Sequence, residues 1–118
     1  MKQFSIELSL LALIAIPCSR SASAQSGIFP AGNKYLFIHC EGERQGPAVI
    51  LDSGLFRDST DWWLVVPQID RFTEVCSYDR EGLGQSQVDQ GVSPETECID
   101  ESVEDIRSLL QSVHIYSP

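Results

Sequence analysis

At 118 residues the chain is long enough for one small domain and too short for two. Its apolar content of 42% suits a packed core, while 8 Lys+Arg against 17 Asp+Glu leave a net charge of −9. That acidic balance argues against nucleic acid or an anionic membrane as partner and reads as a solvated acidic surface.

Residues 1–24 read as a secretory signal. Lys2 gives a minimal positive start, Leu8 to Ile16 form a short apolar core, and Pro17 and Ser19 break it. Ala22-Ser23-Ala24 fits the small-x-small cleavage pattern, so 25–118 is the expected mature chain, secreted or periplasmic. The apolar run is too short to span a bilayer, which needs about 20 residues. Pro17 speaks against lipidation of Cys18. Cys40, Cys76 and Cys98 remain after cleavage, an odd number that allows one internal pair at most. No C-x-x-C and no Cys/His cluster points to zinc.

Residues 25–33 are rich in turn formers and are expected to be a loose N-terminal arm. Lys34–Cys40 is rich in β-formers and predicts a strand. Glu41–Pro47 is a polar turn suited to a hairpin-like reversal. Ala48–Leu51 is a continuous apolar run, the pattern of a strand covered on both faces, and it ends at Gly54. Asp58 or Ser59 can cap a helix over 59–71, with Asp61 in its first turn. Trp62, Val66 and Ile69 recur at helical spacing, and Pro67 is expected to end or kink the first helical piece. Glu74–Tyr78 predicts a second buried strand. It runs into Asp79-Arg80-Glu81-Gly82-Leu83-Gly84-Gln85-Ser86, where two glycines let the backbone turn. Gln85–Val92 reads as a polar loop. Ser93-Pro94-Glu95 then opens a helix over 94–113, whose apolar face is Ile99, Val103, Ile106, Leu110 and Val113. Strand, helix and strand in this order make a βαβ unit and an α/β fold of about three strands with two helices.

Three pieces of this pattern resemble the N-terminal part of the α/β-hydrolase superfamily. Gly46–Leu55 is similar to the strand and glycine turn that usually reads His-Gly; here Asp52-Ser53 precedes the glycine. Trp62-x-x-Val65-x-Pro67-x-Ile69 is similar to the family's first helix, and Tyr78–Ser86 matches Tyr-Asp-Arg-x-Gly-x-Gly-x-Ser. The resemblance covers about residues 33–118 and assigns 34–118 to the N-terminal part of such a domain. It implies hydrolysis of a small-molecule ester or amide by a Ser-His-Asp/Glu mechanism, with neither metal nor organic cofactor. It implies an oxyanion-hole backbone donor at Leu55, just after Gly54. It gives Asp79, Arg80, Gly82, Gly84 and Ser86 the task of holding the loop. In the family's strand order (2-4-3) Cys40 and Cys76 lie on neighbouring strands, which allows a disulfide between them.

The family's nucleophile elbow, Gly-x-Ser-x-Gly, does not occur in the sequence; Gly84-Gln85-Ser86-Gln87-Val88 lacks the second glycine. The expectation is a fragment that is inactive by itself, without catalytic residues of its own. His39 and His114 have no serine or acid placed for a triad in the sequence reading. Trp62 and Trp63 read as core or pocket lining. A non-catalytic secreted protein that pairs, or self-associates, through an exposed sheet edge is the alternative. Ile50-Leu51-Asp52-Ser53-Gly54 also resembles an aspartic-protease half-site, but Leu55 and the two helices count against an all-β protease.

Overall fold

The computed structural model describes residues 24–86 and 99–115. Four strands form one mixed sheet: β1 (Gln25–Ala31), β2 (Lys34–Glu41), β3 (Val49–Leu51) and β4 (Val75–Tyr78), in the order β1-β2-β4-β3. β1 pairs antiparallel with β2, β2 antiparallel with β4, and β3 parallel with β4. The α/β fold expected from the sequence is present, with one strand more than the three anticipated. Among the described residues β3 is the edge strand on one side of the sheet.

The added strand corrects the reading of 25–33 as a loose arm. Gln25–Ala31 pairs along its whole length with β2, from Gln25↔Cys40 to Ala31↔Lys34. Gly32-Asn33 is the two-residue turn, and Gly32 sits at φ +65. A glycine at the first turn position matches the twist of the flanking strands. Gly27 and Pro30 read as breakers in the sequence, yet an edge strand tolerates both.

The link from β2 to β3 does not make a hairpin, because β4 lies between the two strands. It passes through Gly42, at φ +85, where a Cβ would lie 2.7 Å from the carbonyl oxygens of Asp70 and Thr73. The predicted helix over 59–71 is a 3₁₀ turn (Ser59–Trp62) followed by a short helix, α1 (Val66–Ile69). Asp58 caps the first, accepting from the Thr60 N–H. Pro67 stands in the first turn of α1, so it begins a helical piece rather than ending one.

The sheet has two unlike faces. Leu36, Ile38, Cys40, Cys76 and Tyr78 face α2 (Ile99–Ser112) and form the buried core with Leu109, Val113 and Ile115. Phe37, His39, Glu41 and Ser77 face the other way, toward Trp63, Val66 and Pro67. All of β4 is buried, whereas the three residues of β3 are only half-buried. The predicted helix start at 93–95, the loop 87–92, Cys98 and the signal residues 1–23 lie outside the described residues.

α2 ends in a Schellman arrangement. The Ile115 N–H donates to Leu110 O at 2.9 Å, the His114 N–H donates to Gln111 O at 3.2 Å, and His114 adopts φ 58. Ile115 is buried and Leu110 packs against the same core, the apolar contact that accompanies this cap.

Lys34 joins three elements at the other end of the core. Its ammonium lies 2.8 Å from Asp105 on α2 and 2.9 Å from Glu81 in the loop after β4, and all three side chains are largely buried. Burial works to lower the lysine pKa, but the hydrogen bonds to Asp105 and Glu81 outweigh it and hold the value above the ordinary lysine range.

Candidate functional site

The C-terminal ends of β3 and β4 bring the predicted site residues together. Asp79 is 1% exposed, and its carboxylate is fully engaged. One oxygen accepts the Ser59 N–H and the other the Gln85 N–H, both at 2.7 Å. Ser86 donates its hydroxyl to Asp79 O and accepts the Phe37 N–H at 2.9 Å. Gly84, at φ +50, leaves no room for a side chain: a Cβ would lie 2.1 Å from an Asp79 carboxylate oxygen. Gly82 also needs its positive φ of 73. This loop is therefore built around a buried carboxylate that satisfies backbone donors, not around an acid offered to a substrate.

Arg80 crosses from this loop to the loop after β3. Its guanidinium donates to Ser53 O at 2.6 Å and Gly54 O at 2.7 Å, and it lies 3.5 Å from the Asp52 carboxylate. Ser53 in turn donates its hydroxyl to Asp58 O at 2.6 Å. The carbonyls that lead up to Leu55 are thus held by a charged donor from the neighbouring strand end.

Leu55 follows as the first central residue of a turn closed by Arg57 N–H to Gly54 O at 3.1 Å. Phe56, the second central residue, is left-handed at φ 59, unusual for a bulky side chain. Leu55 is 73% exposed, and its N–H has no partner among the described residues. Asp58 and Asp61 both have carboxyl pKa values below the ordinary range, Asp58 through bonds from Thr60 and Asp61 through the Arg57 guanidinium.

His39 departs from the sequence reading. It has an acid beside it: Nε2 lies 2.6 Å from a Glu41 oxygen. It also has a serine across the register, since His39 pairs with Ser77. The i, i+2 spacing on a strand put His39 and Glu41 on one face, a signal present in the sequence. Ser77, however, is only 3% exposed, at the floor of the groove that His39 and Trp63 line. His114 caps α2 through its left-handed backbone and takes no part in this cluster. Trp63 is exposed and lines the shallow groove beside His39, whereas Trp62 is half-buried.

Cys40 and Cys76, register partners at the centre of the sheet, form a disulfide. A Glu74 carboxylate oxygen lies within 4.8 Å of both sulfurs, the one three-donor cluster found among the described residues. With the sulfurs bonded to each other and Glu74 held by Arg44 at 2.6–2.7 Å, the cluster presents no set of free metal ligands.

Among the described residues no strand pairs with the outer side of β3. A groove of about 700 Å³ runs between β3 and α2, with Pro47, Ala48, Ile50, Val103, Ile106 and Leu110 along it and Arg44 and Arg107 on its rim.

No family model and no curated protein matches the chain. Solved structures do. A protein described as a lipase from Acinetobacter baumannii AYE superposes with a TM-score of 0.69 at 20% identity, over 80% of this chain and 31% of that one. The enol-lactonase of Burkholderia xenovorans LB400 gives 0.63 at 25% identity, over 73% and 33%. A 2-hydroxy-6-oxo-6-phenylhexa-2,4-dienoate hydrolase from Rhodococcus sp. strain RHA1 gives 0.63 at 22%, over 80% and 35%. The chain spans about a third of the length of each. Strand order, the tied loops after β3 and β4 and these likenesses agree: the chain has the fold of the N-terminal part of an α/β-hydrolase.

Proposed function

We propose that the chain is the N-terminal part of a secreted or periplasmic α/β-hydrolase, an ester- or amide-cleaving enzyme of the Ser-His-Asp/Glu type, and that it is inactive alone. The observation that carries this reading is the unfinished side of the sheet. β3 ends at a loop clamped by Arg80, and beside it, between β3 and α2, lies an apolar groove that a further strand pairing with β3 would help to cover. In an α/β-hydrolase the strand there delivers the nucleophile. The Leu55 N–H then serves as one oxyanion donor, worth about 2.7–4 kcal/mol of transition-state stabilisation. Arg80 is the positioning residue for that donor. The sequence holds no Gly-x-Ser-x-Gly elbow, so on this reading the nucleophile comes from residues outside it. The signal-like start and the Cys40–Cys76 disulfide support an oxidising compartment.

The test compares this chain with a polypeptide in which an apolar strand and Gly-x-Ser-x-Gly follow α2. The longer product is expected to cleave p-nitrophenyl esters and to be labelled by a fluorophosphonate, and the 118-residue chain to do neither. Ester turnover with fluorophosphonate labelling by the 118-residue chain alone overturns the reading.

A further inference from the structure

We infer that, without a further strand, this chain pairs with a second copy of itself across β3, forming a two-fold dimer with one continuous sheet. The inference rests on the open edge and not on the hydrolase chemistry. β3 lies parallel to β4, and the Val49 N–H donates inward to Glu74 O at 2.9 Å. Backbone groups alternate along a strand, so Val49 and Leu51 face β4 while the N–H and C=O of Ile50 face outward. Residues of the same outward phase, Ala48 and Asp52, flank it. An edge that presents such groups beside apolar side chains, with neither charge nor proline in the strand, is a template for another strand.

A second copy fits this edge for three reasons. First, a two-fold axis at Ile50 makes Ile50 and the partner copy's Ile50 a mutually hydrogen-bonded pair, each N–H donating to the other's carbonyl. The segment is uniformly apolar, so that antiparallel register loses nothing by self-pairing. Second, the same operation sets the Asp52 of each copy against the Ala48 end of the other. Asp52 is half exposed, and Arg44 lines that end of the groove. Each end of the joined strands then sets the Asp52–Arg80 pair of one copy beside the Arg44–Glu74 pair of the other, so no unbalanced like charges meet there. Third, a two-fold perpendicular to the sheet keeps both α2 helices on one side. Val103, 47% exposed, and Ile106 and Leu110 of each copy then close over the joined strands. Each groove is covered by the apolar face of the other copy, which removes the exposed patch.

The purified chain, disulfide intact, is expected to elute as one species of twice the chain mass by size-exclusion chromatography with light scattering. Val103→Glu, an exposed change on α2 that leaves the core alone, is expected to shift it to the chain mass with unchanged far-UV circular dichroism. Ile50→Cys is expected to form a covalent dimer on mild oxidation, because the axis places the two Cβ atoms opposite each other; Ser26→Cys, on the other edge of the sheet, is expected not to. A monomer at every concentration, a polydisperse aggregate, or a dimer in which Ser26→Cys cross-links and Ile50→Cys does not each overturn the proposal. Esterase activity of a longer polypeptide bears on the hydrolase reading alone, so the two fail separately.

Discussion

The sheet has two edge strands, β1 and β3, and they are built in opposite ways. β1 carries Gln25, Ser26, Gly27 and Pro30, alternates exposed with half-buried residues, and is tied by Lys34 and the turn at Gly32 to the rest of the core. β3 is Val49-Ile50-Leu51, apolar throughout and bordered by an apolar groove. The first has the composition of a strand meant to face water on its outer side. The second has the composition of an interior strand. The contrast teaches where the fold is complete, and it can be attacked from either side.

The largest effect is expected at the completed side. Lys34→Met leaves the Glu81 and Asp105 carboxylates buried without their cation, a change expected to cost about 3–5 kcal/mol. Thermal denaturation should show a Tm lower by more than about 12 °C. The lysine also sets an alkaline limit. Its folded pKa lies above the unfolded value of 10.5, so its contribution is complete below that pH and lost as pH rises through the higher folded value. Tm is therefore expected to stay flat from pH 8 to 10 on this account and to fall beyond, and Lys34→Met should remove that fall.

The centre of the sheet comes next. Removing the Cys40–Cys76 bond with paired alanines is expected to lower stability by about 2–4 kcal/mol, read from urea midpoints with the m-value checked. The bond joins β2 to β4 and does not touch β3's outer side, so the oligomeric state should not change with it.

The elements that were legible in the sequence are those whose local pattern and tertiary role agree. β2 and β4 read directly from composition and spacing, and helical spacing put Ile106, Leu110 and Val113 on the core side of α2, although it passed over the buried Leu109 and included Val103, which is 47% exposed. The glycine loop, where Gly84 has no room for a side chain, also read directly, and of the two caps offered, Asp58 and Ser59, the structure uses Asp58. The misses have physical reasons. β1 was hidden because Gly27 and Pro30 are breakers everywhere except at an edge, and edge status is a property of the sheet. The His39–Glu41 pair was hidden because Glu41 opens a polar, glycine-containing stretch that reads as a turn, whereas β2 extends to it and strand alternation then places both side chains on one face. The end of α2 was expected at 113 and lies at Ser112, but its cap was hidden because His114 holds a left-handed position that usually advertises itself as glycine.

That last residue offers a smaller test. His114→Gly relieves a Cβ-bearing residue of a left-handed backbone and keeps both Schellman bonds, with only the glycine's extra unfolded-state freedom against it. A gain of about 0.5–1 kcal/mol is expected, seen as a higher Tm. A loss instead would mean that the imidazole makes a stabilising contact that the capping geometry does not require.

The smallest change in stability sharpens the comparison most. In a hairpin with a two-residue turn, the residues flanking the turn, Ala31 and Lys34, are the hydrogen-bonded pair. The next pair, Pro30 with Tyr35, therefore points its backbone groups outward, and the nitrogen at the edge is the one with no hydrogen to donate. Pro30→Val restores a donor there without breaking a ladder bond, so stability should move by no more than about 0.5 kcal/mol. Association should move more. If β1 is guarded by its proline, the variant will form species larger than the wild-type chain, and adding Val103→Glu will not abolish them. If the elution profile is unchanged, the proline is incidental, and the protection of that edge lies in its polar residues instead.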